Sequence, residues 1–205
     1  MYRIFINENL LILSSSESQL EIDNKLEVRH YTGVKSIIEA IKRVRISSLI
    51  MVGVDLEVMW RDFCSLFKQI DAAGGVLLND KGHILWIFRN GKWDLPKGKV
   101  ENKESIMNTA IREVEEECSV YNIRPGPILG KTYHTYEYNG LNILKSSFWY
   151  GMSCSGEQFI KPQIEEGITK VIWADVKQHK MCLANTYSSI KELLKREKVV
   201  DYLDF

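Results

Sequence analysis

Two hydrophobic rhythms alternate along this chain and divide it into two segments. In the first, residues 1–68, short apolar runs alternate with stretches of helical spacing. Residues 2–6 and 10–13 flank Asn7-Glu8-Asn9, a turn composition, and predict a hairpin. Residues 26–29 predict one more short strand. Between 34 and 45, Ile37, Ile38 and Ile41 fall on one side of an amphipathic helix, with Gly33 just before it. Residues 48–54, SLIMVGV, predict a buried strand, and Asp55 stands where it can cap a helix running to Phe67. Strand, helix, strand, helix is the order of a small α/β domain. The segment has no GxGxxG and no P-loop, so nothing in it supports nucleotide binding. Its expected role is structural or dimerising.

The second segment, residues 69–205, has a different order. Strands over 73–78 and 84–88 are joined by Asn79-Asp80-Lys81-Gly82, a turn sequence. Trp93-Asp94-Leu95-Pro96 leads into Lys97-Gly98-Lys99. A helix follows, with Ser105 as its N-cap and Met107, Ile111, Val114 and Cys118 along one face. Strands near 128–138 and 142–153, a polar loop, a strand over 168–173 and a last helix over 188–197 complete an α/β pattern with mixed strands.

Charge changes this picture most at the end of the central helix. Arg112-Glu113-Val114-Glu115-Glu116-Glu117 places four glutamates in six positions. Glu113, Glu116 and Glu117 stand at i, i+3 and i+4 on one side of the helix, where like charges repel. They also crowd its C-terminal end, where the helix dipole disfavours anions. Each penalty is a few tenths of a kcal/mol, roughly, and they add in one direction. A hard divalent cation among the carboxylates would offset them.

This spacing resembles the Nudix box, Gly-x5-Glu-x7-Arg-Glu-U-x-Glu-Glu-x-Gly-U, with U a bulky aliphatic residue. Gly98, Glu104, Arg112, Glu113, Val114, Glu116, Glu117 and Val120 fall on the pattern. Ser119 departs from it, standing where the family has Gly, the residue suited to a positive-φ helix end. The resemblance covers about residues 70–200 and implies an α/β/α sandwich with a mixed sheet, preceded by the small α/β domain. It also implies Mg²⁺- or Mn²⁺-dependent hydrolysis of a phosphoanhydride bond. Glu113, Glu116 and Glu117 would be metal ligands, joined by the Gly98 carbonyl and by Glu104 directly or through water. Arg112 would hold Glu113 in position, and Glu113 or a neighbouring carboxylate would accept the proton of the attacking water. Glu115 reads as an ordinary surface glutamate.

Several residues around the box are candidate substrate contacts. Lys97 and Lys99 flank Gly98 in a Pro-Lys-Gly-Lys run similar to that of family members acting on dinucleoside polyphosphates or oxidised nucleotides. They meet phosphates or are merely solvated. Arg89 is a further candidate phosphate contact. Strand alternation sends Tyr133 and Thr135 to one face and His134 and Tyr136 to the other. Tyr133 and Tyr136 either stack a base or pack the sheet, and Lys145 and Trp149 have the same two readings. Glu165 and Glu166 lie in a region from which many family members supply another acidic group, and either one of the two serves here as acid/base or ligand or both belong to a solvated loop. Tyr187 either closes over a base or takes part in opening the last helix.

Lys and Arg together number 27, equal to Asp and Glu, so no global field recruits nucleic acid. Cys64, Cys118, Cys154 and Cys182 are scattered, as buried thiols of a reducing compartment are. His30, His83, His134 and His179 show no ligand spacing. No signal peptide or membrane-length apolar run is seen, and a cytoplasmic protein, with a homodimer as one option, is the expectation. The expected activity is a pyrophosphohydrolase acting on a nucleotide-type small molecule, with a dinucleoside polyphosphate or an oxidised or normal nucleoside triphosphate favoured. The alternatives are ADP-ribose or a nucleotide sugar, the 5′ end of RNA, a non-catalytic Nudix ligand sensor, or an interaction protein.

Overall fold

The computed structural model describes residues 1–16 and 26–196. The chain falls into two compact units. One comprises Met1–Ile70 with Tyr133–Lys145, and the other Asp71–Thr132 with Ser146–Phe205.

In the first unit, β1 (Tyr2–Ile6) and β2 (Asn9–Ser14) form the expected antiparallel hairpin, with Asn7 at φ 58° in its turn. β2 pairs in parallel with β4 (Leu49–Val52), and β4 in parallel with β3 (Glu27–His30). Parallel neighbours need crossovers, and α1 (Val34–Val44) provides the one between β3 and β4. α2 (Leu56–Cys64) starts at Asp55, whose Oδ1 accepts hydrogen bonds from the amides of Glu57 and Val58 at 3.0 Å. That helix ends at Cys64, short of the expected Phe67. The buried stripe of α1 is Ile37, Ala40 and Val44. Ile38 lies outside it, 38% exposed. The stripe packs with Leu11, Leu13, Met51, Met59 and Phe63 into one apolar core.

β5 (Lys68–Leu78) carries the chain into the second unit, where β6 (Ile84–Arg89), β7 (Lys92–Asp94), β8 (Lys97–Lys99) and α3 (Ile106–Cys118) follow. β9 (Arg124–Tyr138) and β10 (Leu141–Ser153) run out to the first unit and back. β11 (Ile168–Ala174), α4 (Val176–Ala184) and α5 (Ser188–Arg196) complete it. The strand order is β11-β6-β5-β10-β9, with β7 paired to β6 and β8 to β5. Four successive residues of β6, Ile84 to Ile87, are all 0% exposed. Alternation explains this. Ile84 and Trp86 enter a core with Leu193 and Leu194 of α5, while Leu85 and Ile87 enter another with Ala110, Val114 and Cys118 of α3. Helices on both faces of a mixed sheet make the expected α/β/α sandwich.

Two expectations change here. Met107, placed on the apolar face of α3, is 38% exposed, and the buried arc instead contains Thr109, Ala110, Val114, Glu117 and Cys118. α4 is an added element. It buries only His179 and Cys182, too little to leave a periodic pattern, and is fixed by a capping box between Asp175 and Gln178. The expected end of the last helix at Glu197 lies outside the described residues. All four cysteines are free and buried, and no described helix is long and apolar enough to cross a membrane.

Candidate active site

The site is built where β8 comes close to β5 and meets α3. β8 pairs antiparallel with β5, Gly74 opposite Lys97 and Ala73 opposite Gly98. A Cβ on Gly74 would lie 2.2 Å from the Pro96 carbonyl oxygen, so this approach requires glycine. β8 then lies under α3, which begins at Ser105, whose Oγ accepts the Asn108 amide at 3.1 Å. It ends at Ser119, in the left-handed conformation at φ 56° and ψ 39°. Serine thus occupies the backbone geometry for which glycine is the usual choice.

Arg112 is the hub. Its Nε and Nη2 donate to the two oxygens of Glu104 at 2.9 and 3.0 Å, a bidentate pair. Its Nη1 donates to Glu113 Oε1 and to Glu116 Oε2, both at 2.8 Å, and Nη2 also reaches the Lys99 carbonyl at 3.2 Å. The Thr109 hydroxyl donates to Glu104 Oε2 at 2.7 Å. Glu104 therefore has both oxygens engaged with Arg112. That guanidinium, helped by Thr109, brings its pKa down to about 2. The same partners hold Arg112 firmly charged.

Glu117 stands apart from this network. It is 1% exposed, accepts the Lys97 amide on Oε2 at 2.9 Å and meets Arg89 Nη1 at 3.3 Å on Oε1. Burial pushes its carboxyl up to about 7, against the pull of Lys97 and Arg89. Burial also raises Glu113, opposed by Arg112. Glu116 is half exposed. The Lys97 ammonium is bound to Asp94, an almost buried pair, while Asp94 Oδ1 accepts the Leu95 amide at 2.8 Å. Asp94 and Thr109 escaped the sequence reading. A lone aspartate inside the apolar run Trp93-Asp94-Leu95 was the available signal.

The chain thus gathers Arg89, Asp94, Lys97, Gly98, Lys99, Glu104, Arg112, Glu113, Glu116 and Glu117 around one end of one sheet. Of the acidic pair in the loop, Glu165 and Glu166 sit on a single 3-10 turn, Ile164–Glu166, and both are exposed. Only Glu166 figures among the charges acting on Glu113. The preceding loop is tied to the end of α3, with the Lys161 and Gln163 amides donating to the Cys118 and Glu117 carbonyls. Tyr133, Tyr136 and Lys145 belong to the other unit. There Tyr133 packs edge-on against Tyr2 and Trp60, at 6.1 and 4.9 Å, and Tyr136 stacks on His134. Trp149 is fully buried, its Nε1 donating to the Thr132 hydroxyl at 2.9 Å. Tyr187 carries the Lys92 ammonium over its ring at 4.9 Å.

Among the described residues, no three His, Cys, Asp or Glu side chains already enclose one point as a metal shell. The donors nevertheless fit a hard cation. Glu113 Oε2 and Glu116 Oε1 carry no hydrogen bond, whereas their other oxygens are held by Arg112. A Cβ on Gly98 would fall 2.0 Å from Glu113 Oε2, so the missing side chain leaves the space in which this carboxylate rests against the backbone. Carboxylate oxygens beside a backbone carbonyl are an all-oxygen donor set.

Residues 68–195 match the model of the NUDIX domain. In three dimensions the chain is similar to the MutT protein from Methanosarcina mazei Go1, with 22% identity, a TM-score of 0.50, and coverage of 66% of this chain and 96% of that one. It is similar too to a C. elegans Ap4A hydrolase in a binary complex, with 20% identity, a TM-score of 0.50, and coverage of 66% and 99%. At these identities the likeness is one of fold. The family match spans most of this chain and the whole second unit up to α5, including every residue of the Arg112 hub and Glu117. The chain belongs to the Nudix hydrolase family.

Proposed function

We propose that the second unit hydrolyses a phosphoanhydride bond in a nucleotide-type substrate with the help of a divalent cation, Mg²⁺ or Mn²⁺. The observation that carries this reading is the division of labour around Arg112. Glu104 is committed to the guanidinium, while Glu113 and Glu116 each keep one oxygen unengaged. Glu113, Glu116, Glu117 and the Gly98 carbonyl would hold the cation, which when bound neutralises phosphate charge and makes a water more acidic. Arg112 fixes the carboxylates in one orientation, so little reorganisation is needed at the moment of reaction. Glu104 acts through Arg112, as its positioning partner. Glu113 Oε2 is the proposed proton acceptor, since burial already favours a proton on this carboxyl. Glu166 is the proposed additional acidic group, because its charge acts on Glu113.

For substrate we favour a dinucleoside polyphosphate or a normal or oxidised nucleoside triphosphate. Lys99 is exposed beside Gly98 and available to a chain of phosphates. Lys97, bound to Asp94, contributes its charge from a fixed position. Coulomb attraction to both grows with the number of phosphates and is screened by salt. Cytoplasmic location remains the proposed setting, and assembly through the first unit the proposed role of residues 1–68.

The test is a substrate panel with resolved products: dinucleoside polyphosphates, normal and 8-oxo nucleoside triphosphates, ADP-ribose, nucleotide sugars and triphosphorylated RNA. Polyphosphates should give the highest kcat/KM, and Glu116→Gln should abolish most of the turnover. A preference for ADP-ribose or a nucleotide sugar rejects the substrate reading and leaves the hydrolase standing. Tight binding of one compound with no hydrolysis of any favours the sensor. Undiminished turnover under exhaustive chelation would sink the metal-assisted reaction.

A further inference from the structure

The first unit bears an open cleft of about 610 Å³ lined by its own residues, a volume in the range of small-molecule sites. Its apolar wall comes from Ile6, Ile41 and Phe67. These are core-edge residues of β1, α1 and the segment after α2. Tyr136, 38% exposed, also lines the cleft, its ring stacked with that of His134 at a centroid distance of 5.5 Å and an angle of 25°. A phenol held in this way offers a rigid aromatic face with little conformational freedom to lose.

The cleft is bordered by two cations, Lys42 and Arg45, one turn apart at the end of α1. Both are exposed, and among the described residues neither side chain makes an ion pair. Their neighbour Arg43 differs. Its Nε is bound to Glu27 at 2.9 Å, and Glu27 also holds Arg29. The unit therefore pairs Arg43, which does not line the cleft, and leaves Lys42 and Arg45, which do, without an ion pair among the described residues. The helix dipole favours cations at this end, but it gives no reason for them to border a concave apolar surface. An anionic group would. The amides of Asn7 and Asn142 add donors and acceptors at the same cleft, and Glu137 is its one carboxylate. That acceptor suits hydroxyl groups.

We propose that this cleft binds a nucleoside monophosphate. Its base rests on Tyr136 and Phe67, its phosphate on Lys42 and Arg45, and its ribose hydroxyls donate to Glu137. The site is separate from the Arg112 hub, draws on none of its residues, and does not depend on the hydrolase having any particular substrate.

Calorimetric titration of the full chain in chelator tests this, with AMP, UMP, adenosine and inorganic phosphate as probes. At least one monophosphate should bind more tightly than phosphate or the nucleoside. Replacing Lys42 and Arg45 together with Ala should weaken it about tenfold or more and leave adenosine unaffected. Tyr136→Leu should weaken both monophosphate and adenosine about tenfold. Glu116→Gln should leave all of this unchanged, which separates the result from the fate of the hydrolase reading. All three cleft side chains are exposed, and melting curves check that the variants fold. The proposal is overturned if no monophosphate binds up to about 5 mM, or if phosphate alone binds as tightly. It also falls if binding survives the cleft substitutions and is lost with Glu116→Gln.

Discussion

At the start of α3, Glu104 gives both oxygens to Arg112 and has its pKa brought down to about 2, whereas at the end of the same helix Glu117 is buried and pushed up to about 7. The first carboxylate is stabilised as an anion by a partner that meets it bidentately. The second has an amide and a more distant guanidinium for partners, and burial outweighs them. Between the two lie Glu113 and Glu116, each half held. From Glu104, just before the Ser105 cap, to Glu117 in its last turn, the carboxylates along α3 thus grade from fully committed to poorly compensated.

The largest effect should come from removing the hub. Arg112→Ala frees Glu104, Glu113 and Glu116 at once, and kcat should fall by about a hundredfold or more, as misplacement of reacting groups does. Arg112→Lys should recover little, because a point charge cannot copy the forked contacts. Steady-state kinetics on the best panel substrate measures both, and wild-type turnover in either variant would show that the orientation of these carboxylates is irrelevant.

Next in size is Gly98→Ala. The new Cβ would sit 2.0 Å from Glu113 Oε2, so the carboxylate must move while the backbone need not. Turnover should drop on the order of tenfold to a hundredfold with the melting temperature barely altered. A large fall in melting temperature would locate the damage in the fold instead.

The contrast between the helix ends also has a pH signature. Glu117 has a folded pKa near 7 against an ordinary 4.5. Between those values the folded chain keeps a proton that the unfolded chain has lost. Metal-free stability should therefore fall as pH rises through this window. Glu104 acts in the opposite sense. Its contribution is present above 4.5 and lost as pH falls toward about 2. Denaturant titrations in chelator across the range should show the first slope become markedly shallower in Glu117→Gln and the second in Glu104→Gln. A flat wild-type profile from 4.5 to 7 would mean that burial does not govern Glu117.

The smallest change is at the helix end itself. Ser119 holds a left-handed backbone that glycine adopts without steric cost. Ser119→Gly should stabilise by about 1 kcal/mol, visible as a rise in denaturant midpoint with unchanged kinetics.

Much of this was readable from spacing. The β1–β2 hairpin, β6, the Ser105 cap and the acidic end of α3 follow from local pattern, whereas the left-handed backbone at Ser119 was implied only by the family resemblance, which has glycine there. Local pattern could not reveal that Glu117 turns inward while Glu116 stays accessible and Glu113 lies between, because the loop and β8 that cover Glu117 are distant in sequence. Nor could it show that Lys97 is bound to Asp94, or that one guanidinium serves three glutamates. α4 was missed because few of its residues are buried, although Asp175 and Gln178 spelled out its cap.

One feature of the topology bears on how this protein can be dissected. Tyr133, His134 and Thr135 of β9 pair in parallel with Ile4, Phe5 and Ile6, and Leu144 on the returning strand is fully enclosed in the core that β1 and β2 build. The N-terminal region is therefore not an appendage that a single cut removes. A fragment beginning at residue 71 would carry a bare strand edge and an uncovered leucine, the features that drive edge-to-edge aggregation. A workable minimal hydrolase would have to shorten the β9–β10 ribbon to a tight turn as well as discard the first seventy residues.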